Sequence, residues 1–394
     1  MNILFINENW YPEGGGGEIY FHYLSNELSK LGHNIFIISG GSKKYEFIKT
    51  KRIHHFKIKT GLLNTGNFSI LTLIKRGKFF LKLFFYIHKI KKFNIHLIHT
   101  RTPICSVMGY IIKNIFNVPL IFSVLYLGGL NWTKIFENSM KSLIFKLLEL
   151  FSLKLDYNKI HIISQNFKNY ISSIGISPEK IRYIPNGIDF QEFQEINEQI
   201  SANFLDIPVD NFIIGYIGSL EKVKRINRLI QLFIGLNDQN ISLVIAGTGS
   251  EESNLNKKYG NIKNLLFIGK IEHSKVPKLI SSVDALILLS SSEGFPGVCL
   301  EALAMNRPVI VSNEIKNKEF NEFLNYNYSI DVNNQEEFNN LINHLRKNKK
   351  SIINFLKNKR DNLIQGYSWD KISSKFLSIY QETLSSNRID YETP

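Results

Sequence analysis

The run Asp284-Ala285-Leu286-Ile287-Leu288-Leu289-Ser290-Ser291-Ser292-Glu293-Gly294-Phe295-Pro296-Gly297-Val298-Cys299-Leu300-Glu301-Ala302 decides the architecture of this chain. After Asp284 the next five residues form an apolar stretch of strand length, the middle is polar and carries Gly and Pro, and a helix-like composition follows from Val298 to Met305. A strand, a tight loop and a helix start place Glu293 in the loop and Glu301 in the helix's early turns. Backbone N–H groups at a helix start suit an anionic ligand, and a carboxylate a turn or two later can accept hydrogen bonds from vicinal hydroxyls such as those of a ribose. The pattern points to a nucleotide-sugar site. Two glutamates alone read more simply as surface charge on an ordinary strand-to-helix connection, so the rest of the chain has to decide.

Working outward, the same rhythm recurs. In the first half, strand candidates fall at residues 3–7, 35–39, 97–100, 120–124, 160–164 and 181–184, with a helix at 18–31. The second half offers 212–217, a helix from Ile226, then 242–246, 265–268, 286–289 and 309–311. Strands alternating with helices predict two parallel sheets, each with helices on both faces. At 394 residues the chain exceeds what one core usually supports, so two domains are expected, with a hinge in the polar region 191–198. Ligands of such sheets sit at the carboxyl ends of the strands.

These residues together resemble the retaining glycosyltransferases of family 4, which have the two-domain GT-B fold. The likeness runs in order along almost the whole chain. Trp10-Tyr11-Pro12-Glu13-Gly14-Gly15-Gly16-Gly17-Glu18, then Gly32-His33, is similar to the family's Gly-rich loop and Gly-His turn. Ile184-Pro185-Asn186-Gly187-Ile188-Asp189 matches the end of the first domain, Gly218-Ser219-Leu220 with Lys224, Ala246-Gly247-Thr248-Gly249 and Phe267-Ile268-Gly269 match loops of the second, and Tyr367-Ser368-Trp369 with Tyr380 matches the closing helix. The resemblance implies two Rossmann-like domains facing across a cleft: residues 1–190 binding acceptor, 191–366 binding the nucleotide sugar, and a helix in 367–394 packing back on the first domain. It implies a glycosyltransferase moving a sugar from a nucleoside diphosphate to a glycan or lipid-linked glycan, in bacterial surface polysaccharide synthesis such as capsule or lipopolysaccharide.

Roles follow by the same resemblance. Glu301 is expected on the ribose and Glu293 at the transferred sugar, with Lys224 bringing positive charge to the diphosphate. Gly15 and Gly16 would lie beside that diphosphate. The main chain of Gly294, Phe295 and Pro296 would lie against the sugar, Gly297 and Val298 are further donor-binding candidates, and the main chain of Lys270 and Ile271 would meet the base. Relatives often carry arginine where Ser219 stands, so one phosphate cation is missing; Arg225 is the candidate to compensate, while Arg228 suits a solvated helix face. Relatives also carry a histidine where this chain has Leu125, followed by Tyr126. His99 and Arg101, ending the preceding strand, complete the acceptor-side candidates, although a histidine there is more commonly an interior one held by hydrogen bonds. A dinucleotide fingerprint fails for want of a third glycine at Tyr20. There is no Asp-x-Asp motif, so neither metal nor cofactor is expected beyond the sugar nucleotide. A nucleotide-sugar epimerase of the same fold, or a non-catalytic nucleotide-sugar- or RNA-binding protein, are the alternatives; nucleic acid is not the expected partner.

Charge adds a second theme. Of the 48 Lys and Arg residues, 25 lie in residues 1–193 against 11 Asp and Glu, while the remainder of the chain balances at 23 of each. Between Phe47 and Phe136 there are 15 basic residues and no acidic one. Such a field favours an anionic partner. Within it, residues 74–92 hold seven Lys or Arg with aromatics at helical spacing. Two readings stay open: Phe79, Phe80, Leu83 and Phe84 meet the acyl chains of an anionic membrane, or the aromatics pack on the domain's own sheet. No run spans a bilayer and the N-terminus reads as a first strand, so a cytoplasmic protein, peripheral at the inner face of the plasma membrane, is expected. Cys105 and Cys299 fall in different predicted domains and form no disulfide framework.

Overall fold

Strand β1, Asn2–Asn7, buries Ile3, Leu4, Phe5 and Ile6 almost completely, as a central strand covered on both faces must. The computed structural model describes residues 1–41, 46–50, 52–60, 70–127, 139–196, 211–315 and 328–389, so the last two residues of the predicted hinge lie outside the described residues. The chain divides into Met1–Gly187 with Trp369–Pro394, and Ile188–Ser368.

In the first unit β1 leads through α1 (Gly16–Lys30) to β2 (Asn34–Gly41), β3 (Glu46–Lys49) and β4 (Ile53–Lys59). The chain continues through α2 (Ile70–Ile90), β5 (Leu97–Thr100), α3 (Pro103–Phe116), β6 (Leu120–Val124), α4 (Ser139–Leu153), β7 (Lys159–Ile162), α5 (Asn166–Ser173) and β8 (Ile181–Tyr183). The sheet order is β3-β4-β2-β1-β5-β6-β7-β8, parallel throughout except for β3, which runs antiparallel on β4. Sequence periodicity passed over β3 and β4, where basic residues interrupt the apolar positions. Right-handed crossovers that run left from β1 through α1, and right through α2, α3 and α4, put α1 on one face and the other three on the opposite face. There α3 packs against both α2 and α4.

On α2, Phe79 and Leu83 are fully buried, whereas Leu81, Phe84 and Phe85 are exposed. The membrane-facing set read from the sequence is therefore corrected. Helical spacing marks a stripe without saying which side of it meets the sheet.

The second unit has β9 (Phe212–Ile217), α6 (Ile226–Leu236), β10 (Ile241–Ala246), α7 (Glu252–Tyr259), β11 (Leu265–Gly269), α8 (Val276–Ser281), β12 (Ala285–Leu288), α9 (Gly297–Ala304), β13 (Val309–Ser312), β14 (Ser329–Ile330), α10 (Gln335–Lys347) and α11 (Lys349–Tyr367). Its six strands are all parallel, in the order β11-β10-β9-β12-β13-β14. The last helix, α12 (Trp369–Ile389), belongs to the first unit and packs on α1. Ile372, Phe376 and Tyr380, spaced one turn apart, are fully buried. The Trp369 ring stacks on Tyr23 and meets Tyr20 edge-on.

Candidate functional site

Each sheet has one place where successive crossovers depart in opposite directions, and there the loops splay apart at the carboxyl ends of the strands. In the second unit that point lies between β9 and β12. The β9 loop supplies Lys224 and the β12 loop supplies Glu293. Lys224 Nζ donates directly to Glu293 Oε1, with side chains 19% and 14% exposed. Ser290 Oγ donates to the same carboxylate oxygen at 2.6 Å. The two loops are also joined through backbone, Ser291 N to Val223 O at 2.8 Å. Two side chains 69 positions apart thus form one partly buried charged cluster. Ser290 was missed from sequence; its only signal was the polar Ser-Ser-Ser run ending an apolar strand.

Beside the pair, the β9 and β10 loops approach backbone to backbone. Gly247 has φ +141, and a Cβ there would lie 1.8 Å from Gly218 O. Only glycine fits that approach. Gly218 N donates to Ala246 O at 3.0 Å and Leu220 N to Thr248 O at 3.0 Å, while Tyr216 OH donates to Ser219 O at 2.7 Å. Ser219 is exposed at the turn and Lys270 is exposed after β11. Ile271 packs against the core cluster of Val244, Ala246, Leu279 and Val283.

Gly294, Phe295 and Pro296 are buried, and Gly297 and Val298 are half-buried at the start of α9. Glu301 is the fifth residue of that helix. Its residue keeps some exposure, yet the protein atoms crowding the carboxyl, and then the charge of Glu192, push its pKa up to about 8. Glu192 carried no sequence signal. Arg225, the candidate to compensate for Ser219, donates through its guanidinium to both oxygens of Glu314, at 2.7 and 2.9 Å. Arg228 is not a merely solvated residue, since Nε donates to Val332 O at 2.6 Å.

The first unit's switch point lies between β1 and β5. Arg101, just past β5, forms an ion pair with Glu18 in the first turn of α1, and its Nε donates to Asn7 Oδ1 at 3.2 Å. Glu18 in turn accepts from Gly15 N at 2.9 Å, closing the helix start. Gly17 is the glycine this arrangement requires, because a Cβ there would sit 1.4 Å from Arg101 Nη1. Gly15 and Gly16 are exposed at the helix start. Leu125 and the more exposed Tyr126 follow the end of β6.

His99 is fully buried. Its Nδ1 lies 2.7 Å from Tyr380 OH and its Nε2 2.6 Å from Ser123 Oγ, which continues to His161 Nδ1 at 2.8 Å. Both ring nitrogens are engaged, and burial followed by repulsion from His161 holds the pKa well below the ordinary histidine value. The network ties β5, β6 and β7 to α12. It leaves His99 no nitrogen to offer an acceptor, while Arg101 sits just past the carboxyl end of β5.

Residues 197–366 match the family model described as Glycosyl transferases group 1, and residues 14–192 the one described as Glycosyltransferase Family 4. The chain is 26% identical over 327 residues to UDP-Gal:alpha-D-GlcNAc-diphosphoundecaprenol alpha-1,3-galactosyltransferase of Escherichia coli, covering 79% of this chain and 80% of that one. It is 26% identical over 301 residues to the capsular polysaccharide biosynthesis glycosyltransferase CapM of Staphylococcus aureus, covering 73% of each. Sucrose-phosphate synthase from Thermosynechococcus elongatus superposes with a TM-score of 0.81 at 19% identity, covering 98% of this chain and 99% of that one. Anabaena HepE in complex with UDP and glucose superposes at 0.71 and 18% identity, with 98% and 99% covered. The architecture is the GT-B fold.

Proposed function

We propose that this chain, a glycosyltransferase that belongs to family 4 and has the GT-B fold, transfers a sugar from a nucleoside diphosphate to a glycan or lipid-linked glycan with retention of anomeric configuration and without a bound divalent metal. The observation that carries the reading is the Lys224–Glu293 pair at the switch point of the second sheet. An incoming diphosphate competes with Glu293 for Lys224. The carboxylate so released is free to accept hydroxyls of the sugar, while Glu301 accepts those of the ribose. In the reaction the bond from the anomeric carbon to the diphosphate oxygen breaks, the bond to the acceptor oxygen forms on the same face, and the acceptor proton passes to the departing diphosphate. Lys224 and the N–H groups opening α9 stabilise the charge that develops on the leaving group.

The E. coli relative is named for a UDP-galactose donor and a diphosphoundecaprenol-linked acceptor, which supports a uridine donor and a lipid-linked acceptor. An acceptor of that kind and the basic first half favour an enzyme peripheral to the anionic inner face of the plasma membrane. Among the described residues no three of His, Cys, Asp and Glu gather as a metal-ligand group.

The test is a panel of nucleotide sugars with lipid-linked and soluble glycan acceptors, the product's anomeric configuration being read by NMR with and without a chelator. A retained configuration with chelator-resistant turnover is expected. An inverted product, or activity lost to chelator and restored by manganese or magnesium, would overturn the corresponding part. Release of an isomerised free sugar without acceptor would identify an epimerase instead.

A further inference from the structure

We propose that the outward face of α4, together with the exposed apolar residues of α2, docks on an anionic phospholipid bilayer; this deepens the membrane reading above by assigning it to residues. Helix α4 carries polar side chains beside Leu153 on its inward face and most of its large apolar ones outside. Ser142, Glu149 and Ser152 are buried against the protein, while Met140, Leu143, Ile144, Leu147, Leu148 and Phe151 are each between 46% and 67% exposed. At 100° per residue these six lie within an arc of roughly 140°, along about 17 Å of helix. Scattered exposed leucines are ordinary in a soluble protein; a continuous stripe on the solvent side of a helix is not. Two helices across on the same face of the sheet, α2 exposes Leu81, Phe84 and Phe85.

Charge selects the occupant. Lys78, Lys82, Lys91 and Lys92 on and just after α2, and Lys146 and Lys154 on and just after α4, are exposed. No acidic residue occurs between Phe47 and Phe136, and the acid of α4, Glu149, is turned inward. A second copy offering the same face would set basic against basic, whereas phosphate headgroups above acyl chains complement both the lysines and the leucines. Among the described residues no helix is long and apolar enough to cross a membrane, so the stripe lies in the interface and does not span it.

The experiment is co-sedimentation of the full chain with vesicles of phosphatidylcholine alone, and with about one third phosphatidylglycerol, at low and high salt. Wild type is expected to bind the anionic vesicles and to be released partly by salt. The Leu147→Ser/Phe151→Ser double variant is expected to bind on the order of a hundredfold more weakly, roughly tenfold for each apolar side chain kept in water. Its melting temperature should match wild type because both positions face solvent; if it does not, Leu143→Gln/Ile144→Gln serves the same purpose. Absence of binding at low salt overturns the proposal. So does binding that survives both apolar double variants and is lost only on changing Lys78 and Lys82 to Gln, since the apolar stripe would then contribute nothing. Self-association in sedimentation velocity that the double variant abolishes, without vesicle binding, would assign the stripe to a second copy and equally overturn it. Transfer to a water-soluble acceptor, measured separately, tells a failure of this assignment from a failure of the enzymatic one.

Discussion

Replacing Lys224 by Met removes the charge paired with Glu293 while keeping most of the side chain's bulk. The size of the effect follows from the pair's surroundings. Exposed ion pairs contribute up to about 1 kcal/mol, and breaking a buried one by deleting a single partner costs about 3–5 kcal/mol. With side chains 19% and 14% exposed and Ser290 still donating to Glu293, the loss falls between, at about 2 kcal/mol. For a unit of this size that lowers the melting temperature by about 4–8 °C. Glu293→Gln in the same molecule should restore part of the loss, because no unpaired carboxylate remains, giving a coupling of about 1–2 kcal/mol in a double-mutant cycle. Turnover follows another logic: Lys224→Met should lower kcat/KM ten- to a thousandfold, on the order expected for a lost charge-assisted contact to the leaving group, and Glu293→Gln should not rescue it. Melting curves of the four proteins and steady-state rates with the donor found by the panel make the comparison. Wild-type turnover in a folded Lys224→Met protein would refute the role given to this lysine, and zero coupling would show that the pair does not organise the site.

Glu301, with its pKa raised to about 8, is favoured neutral by folding, so its contribution to stability is complete below the ordinary carboxylate range and disappears as pH rises through about 8. Hydroxyls donate to the ionised form, so donor affinity should climb with pH through that same value and be flat in Glu301→Gln; equal slopes in thermal-shift titrations of the two proteins would remove Glu301 from the ribose. Tyr380→Phe strips the hydroxyl 2.7 Å from His99 Nδ1 and should cost about 1–3 kcal/mol in melting experiments without changing donor affinity. Because His99 is held neutral when folded but takes up a proton when unfolded, the first unit should also lose stability as pH falls below about 6.5; a flat acid limb in chemical denaturation would contradict the buried network. Gly247→Ala forces a Cβ to 1.8 Å from Gly218 O at φ +141, and is expected to destabilise the second unit by more than about 3 kcal/mol; a fully folded variant with normal donor binding would mean that the two loops separate freely.

Much of this was legible in the sequence because it is local or periodic. The strands around 286–289 and 212–217, and the loop-to-helix step at Pro296 and Gly297, are set by apolar runs and by Gly and Pro, which act within a few residues. Side-chain partners are a matter of three-dimensional neighbourhood and carry no such signal. Nothing near Arg225 announces Glu314, 89 positions away, and the engagement of His99 depends on Tyr380, 281 positions away on a helix that closes over its sheet. Arg225 is paired with Glu314 as Lys224 is with Glu293, and Lys224 is the cation that lies beside Glu293.

Direction is the other quantity that periodicity withholds. In α2 and α4 alike the spacing of apolar residues announces an amphipathic helix, and the ordinary rule turns the apolar stripe inward. In α2 the rule holds for Phe79 and Leu83, and Phe84 and Phe85 are left outside. In α4 it is largely reversed, with Ser142, Glu149 and Ser152 beside Leu153 against the protein and six large apolar side chains toward solvent. A helix stabilised by tertiary packing would not keep that orientation for its own sake, since turning it over would bury more apolar surface. On the inward side Ser152 Oγ donates to Glu149 O one turn back at 2.8 Å, and Ser152 O accepts from Tyr157 OH at 2.5 Å, which ties the end of the helix to the loop that leads to β7. The exposed stripe lies on the side of the helix opposite these polar groups, and an apolar medium beyond the protein is where its side chains would leave water.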